Sequence, residues 1–152
     1  MNELHIREAG LDDIDTVLGL IESSGIDAPG TNDRAAAHAN WPAMQAAGAR
    51  LLLAERDGAA LGTLTLFVLP LLGHHCAPEA VVEDVAVTAD AQGMGIGRAL
   101  LHHSMALARN AGCYKLALSS NLKRVDAHAF YDHLGFERHG ISFIVPLKEQ
   151  AE

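Results

Sequence analysis

Residues 89–112, ADAQGMGIGRALLHHSMALARNAG, decide how the chain is read. Gly93, Gly95 and Gly97 stand at alternate positions and run directly into an amphipathic stretch. Upstream lies VVEDVAVT (81–88), a β-branched run that reads as a buried strand. Strand, glycine-rich turn and helix, in that order, make an anion site. The first N–H groups of a helix lack intrahelical partners, and its dipole adds about half a positive charge there. Glycine removes the Cβ atoms that would hold an anion off. In the helix that follows, Ile96, Leu100, Leu107 and Ala111 share one face, while Arg98, His102 and Arg109 share the opposite one.

Two other phosphate turns fail on spacing. A dinucleotide turn needs GxGxxG and an acid about 20 residues later. Here the spacing is GxGxG, Arg98 fills the slot of the third glycine, and the next strand ends in Ser119-Ser120-Asn121 without an acid. A P-loop needs GK[ST], which is absent.

Working outward, LHIREA (4–9) alternates and predicts a first strand. LDDIDTVLGLIESSG (11–25) puts Leu11, Ile14, Leu18 and Ile21 at helical spacing, with acids in the first turn and Gly25 as the stop. Residues 34–48 predict a second helix, broken or kinked near Pro42. Residues 49–72 predict two long strands around an Asp57-Gly58 turn, a strong hairpin signal. Residues 73–80 read as a loop, 113–120 as a strand and 124–135 as a short helix ended by Gly135. Residues 136–147 predict a last strand or strand pair. The order β-α-α-β-β-β-α-β-α-β implies a mixed sheet with helices on both faces, a three-layer α/β architecture. At 152 residues the chain suits a single domain over 1–152.

A hydrophobic fraction of 49% spread along the whole chain supports a sizeable core. The net charge of −8 argues against a nucleic-acid binder, which needs a basic surface to displace counterions. It leaves room for a small anion held by a local nest of N–H groups. Cys76 and Cys113 form no disulfide framework and no CxxC clip, so a reduced cytoplasmic protein is expected. MNELHIREAG does not read as a signal peptide, and no apolar run approaches the roughly 20 residues that span a bilayer, so no membrane partner is expected. His74 and His75 are adjacent, with Cys76 next and no acid or cysteine cluster at ligand spacing, so no metal is expected.

The stretch VEDVAVTADAQGMGIGRALL resembles the acetyl-CoA-binding segment of the GNAT N-acetyltransferase superfamily, whose pattern Q/R-x-x-G-x-G/A is met by Gln92, Gly95 and Gly97. GCYKLALSSN followed by AHAFYDHLGF resembles that superfamily's later strand and helix, with Gly135-Phe136 as its closing pair. The likeness covers residues 50–147 well and the first 25 loosely.

The resemblance implies a GNAT-like fold, a mostly antiparallel sheet with one splayed parallel strand pair. It also implies transfer of an acetyl group from acetyl-CoA to an amine. On this likeness, backbone groups of Val85, Ala86 and Val87 pair with the pantetheine arm. N–H groups from Gln92 through Gly93, Met94, Gly95, Ile96 and Gly97 hold the diphosphate. Tyr131 lies near the sulfur as general acid or thiolate hydrogen-bond donor. Where many members carry an asparagine seven residues before this tyrosine, the chain has Arg124; Asn121 and Arg124 are both candidates for cofactor contact. A carboxylate at the splay helps deprotonate the amine. Glu83 and Asp84 are adjacent in a strand and point to opposite faces, so only one serves unless a bulge intervenes; Glu83 ranks ahead of Asp84. The likeness also implies a homodimer.

SSNLKRVDAHAFYDHLGFE is similar to aminoalkylphosphonate N-acetyltransferases, and VEDVAV with GCYKLAL to glucosamine-6-phosphate N-acetyltransferases. Both point to a small-molecule amine. Two alternatives stand beside it: a peptide or protein N-terminus as acceptor, and a domain that binds acyl-CoA without turnover as a sensor or partner subunit.

Overall fold

The computed structural model describes residues 2–148. It divides into two units, Met1–Leu118 and Ser119–Glu152.

The first unit holds a five-stranded sheet of β1 (His5–Glu8), β2 (Arg50–Arg56), β3 (Ala59–Leu69), β4 (Glu79–Val87) and β5 (Lys115–Ala117), in spatial order β1-β2-β3-β4-β5. The first four strands run antiparallel to their neighbours, and β4 and β5 are parallel. Asp57 and Gly58 both have positive φ, 53° and 77°, as a tight turn between β2 and β3 requires.

Helices α1 (Ile14–Ser23), α2 (Arg34–Ala46) and α3 (Ile96–Asn110) complete the unit. Asp33 caps α2 by accepting from the Ala36 N–H at 3.1 Å, and the helix runs on through Pro42. The strand register shows which face each helix covers. Leu51, Leu53 and Ala86 cluster with Val17, Leu20 and Ile21, so α1 lies on that face. On the other face, a Cβ added to Gly62 would sit 2.7 Å from Ile96 Cγ2 and 3.1 Å from Leu100 Cδ1. Gly62 thus marks where α3 presses against β3, beside Ala54. The sheet is layered on both sides, as expected. Leu52, Leu64, Leu100 and Leu101 are fully buried, each adding about 1.5–3 kcal/mol relative to exposure.

Three local expectations are corrected. The buried stripe of α1 is Ile14, Val17, Leu20 and Ile21, with Leu11 46% exposed, because the α-helix begins only at Ile14 after a 3-10 turn. In α3 the buried face is Ile96, Leu100, Leu101, Ser104 and Ala108, and Ala111 is exposed just past the helix end. Beyond Gly135 no last strand is seen: among the described residues, 136–148 form neither helix nor strand.

The second unit is built on α4 (Val125–His133). Gly135, at φ 91°, follows the C-cap residue Leu134. The Gly135 N–H donates to the Asp132 carbonyl and the Phe136 N–H to the Tyr131 carbonyl, both at 3.1 Å. This pair of bonds is a Schellman motif, which only a residue tolerant of left-handed backbone closes without strain.

Candidate active site

The glycine turn has the geometry its sequence requires. Gly93 and Gly95 adopt φ of 81° and 82°, and Gly95 is the N-cap of α3 with no side-chain cap. Among the described residues, the N–H groups of Gly93, Gly95, Ile96, Gly97 and Arg98 have no backbone acceptor. A Cβ at Gly93 or Gly95 would meet nothing within 4 Å, so the glycines are required by backbone angle and not by crowding inside the protein. The open N–H groups stand at the positive end of a 15-residue helix. Gln92 also has a structural part to play, because its Nε2 donates to the Val87 carbonyl at 3.4 Å and ties the turn to the end of β4.

β4 is broken by a bulge. Thr63 faces Ala86 and Thr65 faces Glu83, so Asp84 and Val85 together oppose Leu64. Asp84 has φ 52°, in the left-handed region that aspartate tolerates better than most side chains. The extra residue reverses the alternation along the strand. Val82, paired with Leu66, belongs to the α3 face, whereas Ala86 packs in the cluster with α1. A regular strand would have put positions 82 and 86 on the same face.

The parallel ladder with β5 covers only Glu79–Val81 against Lys115–Ala117. β4 then continues to Val87 with no strand pairing on that side among the described residues. The backbone of Val85, Ala86 and Val87 therefore runs along an open edge that ends at the glycine turn.

Asp84 is reached by solvent yet closely surrounded, and burial raises its pKa above the ordinary carboxylate value; the negative charge of Asp27 raises it further. Asp27 lies in the segment after α1 and accepts from Asn32 Nδ2 at 3.2 Å. Sequence reading missed Asp27, since a lone acid in a loop has no periodic signal. It missed Gly62 too, although a glycine inside a strand pattern is a known mark of close approach. Glu83 is exposed and registers opposite Thr65.

The remaining site candidates belong to the second unit. Tyr131 is half-buried between Phe130 and Phe136, at ring-centroid distances of 5.3 and 5.6 Å. Burial pushes the phenol above its usual pKa, and the positive charge of Arg124 pulls it partly back. Asn121 shapes the approach to α4. Its Oδ1 accepts from the Lys123 N–H at 2.9 Å, and its carbonyl accepts from the Arg124 N–H at 3.0 Å. Arg124 precedes α4, and its carbonyl accepts from the His128 N–H at 3.1 Å.

His74 stacks on Tyr114 at 4.0 Å, and His74, His75 and Cys76 all have positive φ. Among the described residues, no group of three or more histidine, cysteine or acidic side chains is placed to hold a metal ion. A separate depression of about 500 Å3, bounded by Glu8, Trp41, Gln45 and Arg50, sits at the β1–β2 end of the sheet, away from the bulge.

The sequence profile of the Acetyltransferase (GNAT) family matches residues 18–136. The chain belongs to that family. Within it, a Trypanosoma brucei brucei glucosamine 6-phosphate N-acetyltransferase is 33% identical over 85 residues, 56% of each chain. A Salmonella typhimurium aminoalkylphosphonate N-acetyltransferase is 34% identical over 91 residues, 60% of this chain and 58% of that one. These matches span a little over half the length of either relative. A crystal structure of a Trypanosoma brucei acetyltransferase superposes with a TM-score of 0.83 at 23% identity, covering 95% of this chain and 100% of the other. That likeness establishes the GNAT fold for this chain: a mixed sheet, antiparallel but for one parallel pair. Among the described residues, no helix is long and apolar enough to cross a membrane.

Proposed function

We propose that this GNAT chain is an enzyme of one domain, residues 1–152, that transfers an acetyl group from acetyl-CoA to the primary amine of a small molecule. The observation that carries the reading is the set of N–H groups without a backbone acceptor at Gly93, Gly95, Ile96, Gly97 and Arg98, directly downstream of the part of β4 that has no strand partner on one side among the described residues. A diphosphate needs such a nest, and an amide-bearing arm needs such an edge. In this reading Val85, Ala86 and Val87 take the pantetheine arm, and Gln92 through Gly97 take the diphosphate. Asn121 and Arg124 are secondary contacts, and Arg124 supplies a charge that suits a phosphate.

An amine with a pKa of about 10.4 must lose a proton before it attacks, at a cost of about 4.6 kcal/mol at pH 7. Asp84 is the proposed acceptor of that proton. The bulge re-aims it, and its raised pKa makes it a better proton acceptor than an ordinary aspartate. Glu83 is the alternative on the regular part of the strand. The neutral amine then attacks the thioester carbonyl directly, the C–S bond breaks, and the thiolate leaves. Tyr131 donates a hydrogen bond to the developing thiolate. Its phenol, raised above an already high pKa, stays protonated and is suited to stabilise that charge more than to surrender its proton. The nitrogen's extra proton passes to the thiolate, and coenzyme A, as its thiol, and the neutral amide are released with no acyl-enzyme. The proposed enzyme is a cytoplasmic homodimer and needs no metal.

The test is release of free thiol from acetyl-CoA by the purified chain, offered aminophosphonates, amino sugars and their phosphates, polyamines and amino acids in turn. Turnover with one class and not the rest supports the reading and names the acceptor. Tight coenzyme A binding with no turnover on any amine, and no effect of Tyr131→Phe, favours the sensor reading instead.

A further inference from the structure

The acetyl-transfer reading uses Asp84 and leaves Asp27 without a part to play. Helix α1 packs against β4 through Val17, Leu20, Ile21 and Ala86, and Ser23 Oγ lies 3.1 Å from Thr88 Oγ1, just past the end of that strand. Residues 24–33 therefore leave α1 beside the C-terminal half of β4. The loop is held by its own bonds. The Thr31 N–H donates to the Ala28 carbonyl at 3.1 Å, Asn32 Nδ2 donates to Asp27 at 3.2 Å, and Arg34 closes the base of the loop on Glu22 at 2.7 Å. Asp27 stands near enough to Asp84 for the two carboxylates to act on one another: after burial, its charge is the next cause of the raised Asp84 pKa.

No base from the surrounding elements answers these two acids. Between Leu11 and Gly48 the only bases are Arg34 and His38, and each already has an acidic partner, Glu22 at 2.7 Å and Asp15 at 2.9 Å. Between Glu79 and Gly97 there is none. The side-chain partner of Asp27 among the described residues is the neutral amide of Asn32. Like charges held close in a partly desolvated place repel one another, and a cation relieves that cost where a further anion adds to it. A metal ion would want more oxygen donors than two carboxylates supply. Ile26, Ala28 and Pro29, all exposed, flank Asp27 and offer apolar surface to a short carbon chain.

We propose that Asp27 sets the acceptor specificity: it holds a second, non-reacting ammonium group of a small diamine or polyamine, while Asp84 takes the proton of the amine that reacts. This rests on the acetyl-transfer reading and narrows its acceptor to amines that carry an additional positive charge. One ammonium loses an N–H proton to the Asp84 carboxylate and attacks the thioester. The other keeps its proton, and with it the attraction to Asp27, from binding to release. Acetylation turns the reacting nitrogen into a neutral amide, so the product has lost one of its charges and is held less tightly than the substrate. An amine bearing a phosphate, phosphonate or carboxylate brings a third anion to the same two acids and is disfavoured.

The test uses acceptors with one carbon skeleton and different end charges: diaminobutane, aminobutane and aminobutanoate, each with a shorter and a longer homologue. Binding to the full chain with coenzyme A present is measured by calorimetry, and turnover by thiol release from acetyl-CoA. The diamine should exceed the monoamine by about 10-fold or more in affinity and in kcat/KM, and the amino acid should fall below both. That preference should shrink as salt is raised. Asp27→Asn should bring the ratio of diamine to monoamine to within about twofold, and Asp27→Glu should recover most of it. Asp12→Asn, the same loss of charge at the other end of α1, should leave the ratio as in the wild type. An Asp27→Asn variant that weakens all acceptors alike gives Asp27 a structural part only and overturns the proposal. The salt dependence of the wild type needs no variant, and a preference for the diamine that salt does not change overturns it too. Thiol release without preference for the diamine overturns the proposal and leaves acetyl transfer standing. Diamine binding that Asp27→Asn abolishes, with no thiol release, supports the part given to Asp27 and overturns acetyl transfer. Neither binding nor release overturns both.

Discussion

Phe136 holds Tyr131 by backbone and ring together. Its N–H donates to the Tyr131 carbonyl at 3.1 Å, and its ring meets the Tyr131 ring edge-on at 5.6 Å. The Schellman motif at the end of α4 thus fixes both the backbone and the ring plane of the proposed thiolate partner. The two residues of the Gly135-Phe136 pair divide the work, since the glycine permits the turn and the phenylalanine closes it over the tyrosine.

Gly135→Ala tests that division. At φ 91° an added Cβ costs about 1 kcal/mol or more, although the space around it is open. The substitution should lower thermal stability and reduce kcat several-fold. Tyr131→Phe should reduce kcat by about 100-fold with little change in KM for acetyl-CoA or in stability. Steady-state kinetics and thermal unfolding of the two variants check this, and an unchanged kcat in Tyr131→Phe removes the tyrosine from the chemistry.

The turn before α3 makes a different prediction. Gly95→Ala forces a side chain to φ 82° and places a Cβ beside the N–H nest. KM for acetyl-CoA should rise at least tenfold. Gly62→Ala meets Ile96 Cγ2 at 2.7 Å and must push the first turn of α3 away from β3, at about 1–3 kcal/mol. Both should weaken coenzyme A binding in calorimetry. Only Gly62→Ala should do so through the packing of α3, as a fall in protection of that helix to hydrogen exchange.

Much of this was legible in the residues. The Asp57-Gly58 turn, the strand–glycine–helix unit and the glycine stop at 135 are local signals, and each stands where its chemistry demands. The bulge at Asp84 was not legible, because VVEDVAV alternates no differently from a flat strand; only the pairing against Thr63 and Thr65 exposes the extra residue. Without the bulge Glu83 ranks first, and with it Asp84 becomes the stronger candidate. The stripe of α1 was misplaced because Leu11 keeps helical spacing yet precedes the α-helix. The pattern at 136–147 alternates as a strand does, but a strand needs a partner, and periodicity cannot say where that partner lies.

Asp13 sets an acid limit on stability. It takes a two-pronged bond from Arg7, at 2.7 and 2.9 Å, and an N–H from Gly10 at 2.9 Å, while Arg7 also reaches Glu55. The Arg7 hydrogen bond, then the Gly10 N–H, lowers the Asp13 pKa from 3.8 to about 2. A carboxylate with a depressed folded pKa adds stability above its unfolded value, and that stability is lost as pH falls from 3.8 through 2. Asp13→Asn should cost about 1–2 kcal/mol at neutral pH, allowing for solvent screening at the partly exposed Arg7. Denaturant melts at pH 7 and near pH 2 should show that difference shrinking toward zero in acid.

Asp84 carries the opposite sign. Its folded pKa lies above the ordinary value of 3.8, through burial first and the charge of Asp27 second. A carboxyl group with a raised pKa favours the fold while protonated, below its unfolded pKa, and that contribution is lost as pH rises through the folded pKa. Ionised Asp84 is therefore a destabilising residue at neutral pH. Asp84→Asn keeps the shape, tolerates the φ of 52° and never ionises. It should melt at a higher temperature than the wild type at pH 7 and at nearly the same temperature near pH 3. If Asp84 is the proton acceptor, the same variant should lose about 100-fold or more in kcat/KM. It should also lose the acid limb of the pH profile, the fall in rate as Asp84 takes up its proton. Gaining stability while losing that limb would separate a working carboxylate from one that is merely partly desolvated. A gain in stability with the profile unchanged would pass the role to Glu83, and Glu83→Gln should then abolish the limb.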